Sequence, residues 1–160
     1  MWRLLLLAGL ALMGQDSTVV LLRHAEKGIN VPGAPLTASG RLRAEALVLD
    51  LAPFKPDALF ASDHLRTQLT LAPLAQRLGL EVQIRARGGE AEAAREILAR
   101  YRGRTVIVCA HSDTLGNWVE ALGVRAPFPG IRSYDGLWIL TIPQGQGEPT
   151  LIRRAQHPRS

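Results

Sequence analysis

The sequence contains a single cysteine, Cys109, inside the apolar run Thr105 to Ala110, so no internal disulfide can form and a disulfide-stapled scaffold is excluded. A lone cysteine on a buried strand reads as packing material rather than as a nucleophile. Lysine is nearly absent as well: it occurs only at Lys27 and Lys55, so the formal charge of +5 rests on arginine. Arginine suits planar recognition of phosphate, although a genome or growth temperature that favours arginine gives the same composition. Aromatic residues make up only 5% of the chain and are not interleaved with the scattered basic residues, which argues against a nucleic-acid partner. The apolar run Leu4 to Gly14, preceded by Met1-Trp2-Arg3, falls short of the roughly 20 residues needed to span a bilayer. Its length is that of a signal-peptide core, with cleavage after Ala11 or Gly14. We therefore read residues 1–14 as an export signal and 15–160 as one domain, periplasmic or secreted, with no stable membrane association after cleavage. An extra strand or an uncleaved anchor is the alternative for the same segment.

What is present suffices for a single core: 160 residues, 47% of them hydrophobic, with no low-complexity stretch in the middle. Thr18 to Leu22 is a β-branched and aliphatic run expected to form a buried strand. After a loop rich in glycine and proline, Gly28 to Pro35, Thr37 is a candidate N-cap for a helix with Leu42, Ala46 and Leu49 on its inner face, ended by Pro53. Asp57 to Ala61 reads as a second strand. Leu65, Leu69, Ala72 and Ala75 recur at helical spacing up to Gly79, with Pro73 expected to kink or break that helix. Glu81 to Ile84 is a weak third strand, and Ala94, Ile97, Leu98 and Tyr101 mark a third helix. Thr105 to Ala110 is the most convincing central strand. Leu115, Val119 and Leu122 describe a fourth helix. Leu137 to Ile142 and Thr150 to Ile152 look like two last strands around a turn with Gly145 and Gly147, and the tail after Arg153 is expected to fray. Alternating strands and helices imply an α/β fold, a three-layer sandwich with a mainly parallel sheet and helices on both faces.

In such sheets ligands bind beyond the carboxyl ends of the strands. The polar residues standing there are Arg23-His24, Ser62-Asp63-His64 and His111-Ser112-Asp113. A single histidine at a strand end is an ordinary surface or capping residue. Two of them, one directly preceded by arginine, suggest a shared pocket.

At these residues the chain resembles the histidine phosphatase superfamily, whose fold is phosphoglycerate mutase-like. Thr18 to Lys27, TVVLLRHAEK, is similar to its first strand and arginine-histidine motif, in a small exported variant with Ala-Glu-Lys after the histidine. Pro35 to Ala44, PLTASGRLRA, resembles its leucine-threonine-x-x-glycine helix start. Ser62 to Thr70, SDHLRTQLT, resembles its serine-x-x-x-arginine element, and Val106 to Leu115, VIVCAHSDTL, its second histidine strand. The resemblance implies a phosphatase that works without cofactor or metal on a small phosphorylated substrate. His24 would attack phosphorus to form a phosphohistidine, Arg23, Arg66 and His111 would hold the phosphoryl group, and water would resolve the intermediate. The residue types fit that chemistry: guanidiniums are permanent bidentate cations for a dianion, and two of them beside an imidazole keep it neutral and nucleophilic. His111 is expected to donate to the developing charge.

Candidate leaving-group acids are Glu90, Asp113, which stands where similar relatives carry asparagine, and Glu26. Without such an acid, good leaving groups such as phosphohistidine or anhydrides would be favoured. Ser62 and Ser112 are candidate substrate contacts; for Ser62 and Thr67, helix capping is the competing role. His64 is expected on the rim. A zinc site from His24, His64 and His111 lacks any diagnostic ligand spacing. A mutase-like phosphotransferase and a phosphate-binding domain without turnover are the rival readings.

Overall fold

A computed structural model describes residues 14–157. The export segment lies outside the described residues except for Gly14, as does the tail from residue 158. The chain runs β1 (Ser17–Arg23), α1 (Ala38–Leu51), a 3-10 turn (Ala52–Phe54), β2 (Ala58–Ser62), α2 (Leu65–Leu78), β3 (Val82–Arg85), α3 (Glu90–Arg100), β4 (Thr105–Ala110), α4 (Leu115–Ala121), β5 (Gly136–Ile142) and β6 (Thr150–Ala155). One six-stranded sheet has the order β3-β2-β4-β1-β5-β6. β1 to β4 pair in parallel, while β5 and β6 add antiparallel at one side. The expected α/β sandwich with a mainly parallel sheet is the observed one.

The strands are apolar on both faces because helices cover both, and alternate residues feed two cores. Val19, Leu21, Phe60, Val106 and Val108 pack with Ala94 and Ile97 of α3 and Trp118 of α4. Val20, Leu22, Leu59, Ile107 and Cys109 point the other way, against Leu47 and Leu51 of α1 and Leu71 and Leu74 of α2. Cys109 is thus core, and burial pushes its thiol far above the ordinary cysteine range.

Helix boundaries follow their caps. The Thr37 hydroxyl accepts from Gly40 N at 3.1 Å, as an N-cap should, and Gly79 closes α2 with φ 66°, a left-handed conformation that glycine adopts without a Cβ penalty. Three expectations fail here. The inner face of α1 is not Leu42, Ala46 and Leu49, since Leu42 is 53% and Leu49 73% exposed. The helix instead turns Arg43, Leu47, Asp50 and Leu51 inward, because Arg43 is bonded to Glu26 and Gln156 and Asp50 to His157, partners that a hydrophobicity pattern cannot see. In α2 the buried residues are Arg66, Thr67, Thr70, Leu71 and Leu74, and the helix runs unbroken through Pro73. The tail does not fray at Arg153 either: β6 continues to Ala155, and Gln156 and His157 are tied to Arg43 and Asp50.

Candidate active site

Register brings the site together. Arg23 of β1 pairs with Ala110 of β4, and His24 N donates to Ala110 O at 2.9 Å, so His24 and His111 emerge side by side from neighbouring parallel strands. Ala61 of β2 pairs with Cys109, which places Ser62 at the same level on the other side of β4. The His24 and His111 ring centroids are 5.3 Å apart, and His64 lies 4.8 Å from His111.

The loop after His24 is clamped from below. Thr37 N donates to Glu26 O at 2.9 Å, and a Cβ on Gly40 would sit 2.2 Å from that oxygen, so only glycine permits this approach of α1. Ala25 N donates to Thr70 Oγ1 at 2.9 Å, and Thr70 Oγ1 in turn donates to Arg66 O at 2.7 Å. The sequence elements PLTASG and LRTQLT therefore act as the mould in which the His24 loop sets.

His24 is almost wholly buried, and its Nδ1 lies 2.7 Å from Ala25 O. A carbonyl only accepts, so the proton of the neutral ring sits on Nδ1 and the lone pair on Nε2. Burial, opposed by the Ala25 bond and reinforced by Arg66, Arg23 and Lys27, lowers the His24 pKa to about 4. At neutral pH the ring is uncharged and its Nε2 keeps a lone pair.

The bonding of His111 is equally definite. Arg66 Nη2 can only donate, and it faces His111 Nδ1 at 3.3 Å, so Nδ1 accepts. Nε2 then carries the proton and donates to Ser62 Oγ at 2.8 Å. Ser62 passes its own hydrogen to Thr67 Oγ1 at 2.8 Å, and Thr67 donates to His64 O at 2.7 Å. Burial first, then Arg66, His24 and His64, lower the His111 pKa to about 3. As bonded here His111 presents a lone pair, so it becomes a donor to a phosphoryl oxygen only by taking up a proton. Ser62 orients His111 and also accepts from His64 N, the N-cap residue of α2, at 3.2 Å; it does not line the cleft, and His64 itself supplies no side-chain cap.

Arg66 is buried, with Nη1 donating to Val31 O at 3.2 Å and its Nε unpartnered among the described residues. Burial and the neighbouring Arg87 lower its pKa, with Asp113 acting in the opposite direction. Arg23 Nη1 donates to Arg132 O at 3.3 Å, its guanidinium lies 3.9 Å above the Tyr134 ring, and its buried Nε also lacks a partner. All four of Arg23, His24, Arg66 and His111 line one cleft of about 510 Å³, together with Lys27, His64, Arg87, Ser112 and Asp113. A larger depression, about 690 Å³, runs along α4 and residues 123–128 and contains none of these groups.

The candidate acids are placed as follows. Glu26 receives Arg43 Nε at 3.0 Å and Nη2 at 2.8 Å and does not line the cleft. Glu90 is buried at the start of α3, where Oε1 accepts from Gly88 N at 2.9 Å; it faces a separate space of only about 10 Å³ behind Ser62 and His111. Asp113 does line the cleft, but it is ion-paired with Arg87. From the sequence alone no role falls to Arg87, in the cleft wall, or to Tyr134, against Arg23 and His24; for Arg87 the two arginines at 85 and 87 are the available signal. His24, His64 and His111 do cluster, with Nδ1 of His24 and both ring nitrogens of His111 engaged in the hydrogen bonds given above. Among the described residues no group of three His, Cys, Asp or Glu has metal-holding geometry.

The sequence model of the histidine phosphatase superfamily (branch 1) matches residues 19–92, which contain the first motif, the α1 start and Arg66. The chain is 30% identical over 147 residues to an 8-oxo-(d)GTP phosphatase of Mycolicibacterium smegmatis, covering 81% of this chain and 45% of that protein. It thus spans less than half of that relative's length. Among solved structures it is similar to a mycobacterial glucosyl-3-phosphoglycerate phosphatase complexed with VO3, at a TM-score of 0.66 and 17% identity, over 88% of this chain and 99% of that one. A putative phosphohistidine phosphatase SixA from Agrobacterium tumefaciens superposes with a TM-score of 0.64 at 24% identity, over 86% of this chain and 97% of that one.

Proposed function

We propose that this chain, which belongs to the histidine phosphatase superfamily, hydrolyses a small phosphorylated compound through a phosphohistidine formed on His24, with cations of the protein doing the work that a metal would otherwise do. The observation that carries the reading is the tautomer of His24: its Nδ1 is bonded to Ala25 O, and the remaining Nε2 lone pair belongs to a ring that lines a cleft with Arg23, Arg66 and His111. Attack by Nε2 on phosphorus would break the bond to the leaving group, whose oxygen keeps the electron pair. Arg66 would turn from His111 Nδ1 to an equatorial oxygen, and the incoming dianion would raise the proton affinity of His111 enough for Nδ1 to protonate and donate. Water then attacks the phosphohistidine and returns His24 to its neutral form. The buried, unpartnered Nε atoms of Arg23 and Arg66 support an anion as the group for which this cleft is shaped.

Export to the periplasm or medium is part of the same proposal and rests on the Leu4 to Gly14 run alone. The activity is tested with an aryl phosphate in the presence of a chelator. Phosphate release that His24→Ala abolishes, with folding intact, is the expected result; activity that requires added metal or survives the substitution contradicts it.

A further inference from the structure

Deepening that reading, we infer that the substrate is a phosphoanhydride whose leaving group carries its own negative charge, received on the rim by Arg87 and His64. Two independent observations converge on it.

The first is the state of the carboxylates. Protonation of an alkoxide leaving group is worth about 10² to 10⁴ in rate and needs an acid within hydrogen-bond reach. Glu26 is held by Arg43, Glu90 is bonded to Gly88 N outside the cleft, and Asp113 is paired with Arg87. An anhydride needs no such acid, because a phosphate with a second pKa of about 6 departs as an anion at neutral pH.

The second is surplus positive charge. Arg23 and Arg66 suffice for one phosphoryl dianion, yet the cleft also presents Lys27 and Arg87, with Asp113 as its one carboxylate. Lys27 makes no ion pair among the described residues. The Arg87 side chain is 40% exposed and its contact with Asp113 uses Nη2 alone, so its other N–H donors can meet an incoming phosphate while Asp113 stays paired. His64 lines the same wall; its Nδ1 is buried with no partner among the described residues, which leaves Nε2 as the ring nitrogen that can meet a ligand. In the reaction, the His24 Nε2 lone pair forms the N–P bond to the terminal phosphorus while the bridging P–O bond breaks. Its electron pair stays on the departing phosphate, next to Arg87 and His64. Water then cleaves the N–P bond, one of its protons going to solvent.

The test compares kcat/KM of the full chain on inorganic pyrophosphate, a nucleoside diphosphate, phosphoramidate, glycerol phosphate and an aryl phosphate. Wild type is expected to turn over the two anhydrides at least about 100-fold faster than glycerol phosphate. Arg87→Met and His64→Gln are each expected to lower the anhydride-to-aryl ratio about tenfold or more. An alkyl ester used as well as an anhydride, phosphoramidate preferred to both anhydrides, or a ratio unmoved by either variant overturns the inference while leaving the phosphatase reading intact. Failure of wild type on every compound removes both.

Discussion

On the floor of the cleft each reactive side chain is held at a strand end or in the first turn of α2 by a hydrogen bond that fixes its orientation, whereas on the rim Arg87 meets Asp113 in an exposed pair and Lys27 makes no ion pair among the described residues. The floor is preorganised: His24 and His111 have their tautomers set by Ala25 and by Ser62, and Arg66 is bonded to Val31 and His111. The rim gives up little when a ligand arrives. Floor changes should therefore act on the chemical step for every substrate, and rim changes on the choice among substrates.

The sharpest break in this contrast is His24→Ala, expected to lower kcat on an aryl phosphate by on the order of 10⁴ or more, because it removes the covalent acceptor of the phosphoryl group. Arg66→Ala and His111→Ala come next, each expected to cost about 10² to 10³ in kcat, the usual loss for one donor to developing oxyanion charge. Ser62→Ala should cost roughly tenfold, since it touches no substrate and acts by orienting His111. Its effect should appear in kcat far more than in KM; an effect confined to KM would place Ser62 on the substrate instead.

Smaller effects bear on how the floor is paid for in stability. Arg43→Met removes the two-pronged guanidinium bond to Glu26, whose side chain is mostly buried in the His24 loop, and should lower unfolding free energy in urea by about 1–3 kcal/mol. Protonation offers a second probe. With the His24 and His111 pKa values lowered to about 4 and about 3, the unfolded chain binds protons below pH 6.5 while the folded rings do not. Stability should therefore fall as pH drops from 6.5 toward 4, and His111→Asn should flatten that fall. Saturating inorganic phosphate should reverse the trend at His111, with calorimetry in two buffers showing proton uptake on binding.

Most of the floor was legible because it obeys two strong rules: apolar runs become buried strands, and polar residues directly after them reach the ligand edge. Arg23, His24, Ser62 and His111 all stand at such positions, and Thr105 to Ala110 matches β4 residue for residue. Register, which a sequence does not state, converts those separate strand ends into neighbours. Two of the misreadings share one cause. The α1 face was misplaced because Arg43 and Asp50 are inward, paired with Glu26 and His157 across more than a hundred residues in the second case. The tail was expected to fray for the same reason, as Gln156 earns its burial from Arg43 and from the Tyr134 carbonyl. Buried polar partners from distant segments leave no periodic trace. Ser62 shows the same gap at the level of role, for its position was visible and its commitment to His111 was not.

The central claim is tested most directly by trapping the intermediate. Wild type mixed with an aryl phosphate in a chelator and quenched in alkali should carry an acid-labile phosphoryl group that peptide mass spectrometry locates on His24. Protein that turns over without such a group, or that carries it on any other residue, contradicts the account.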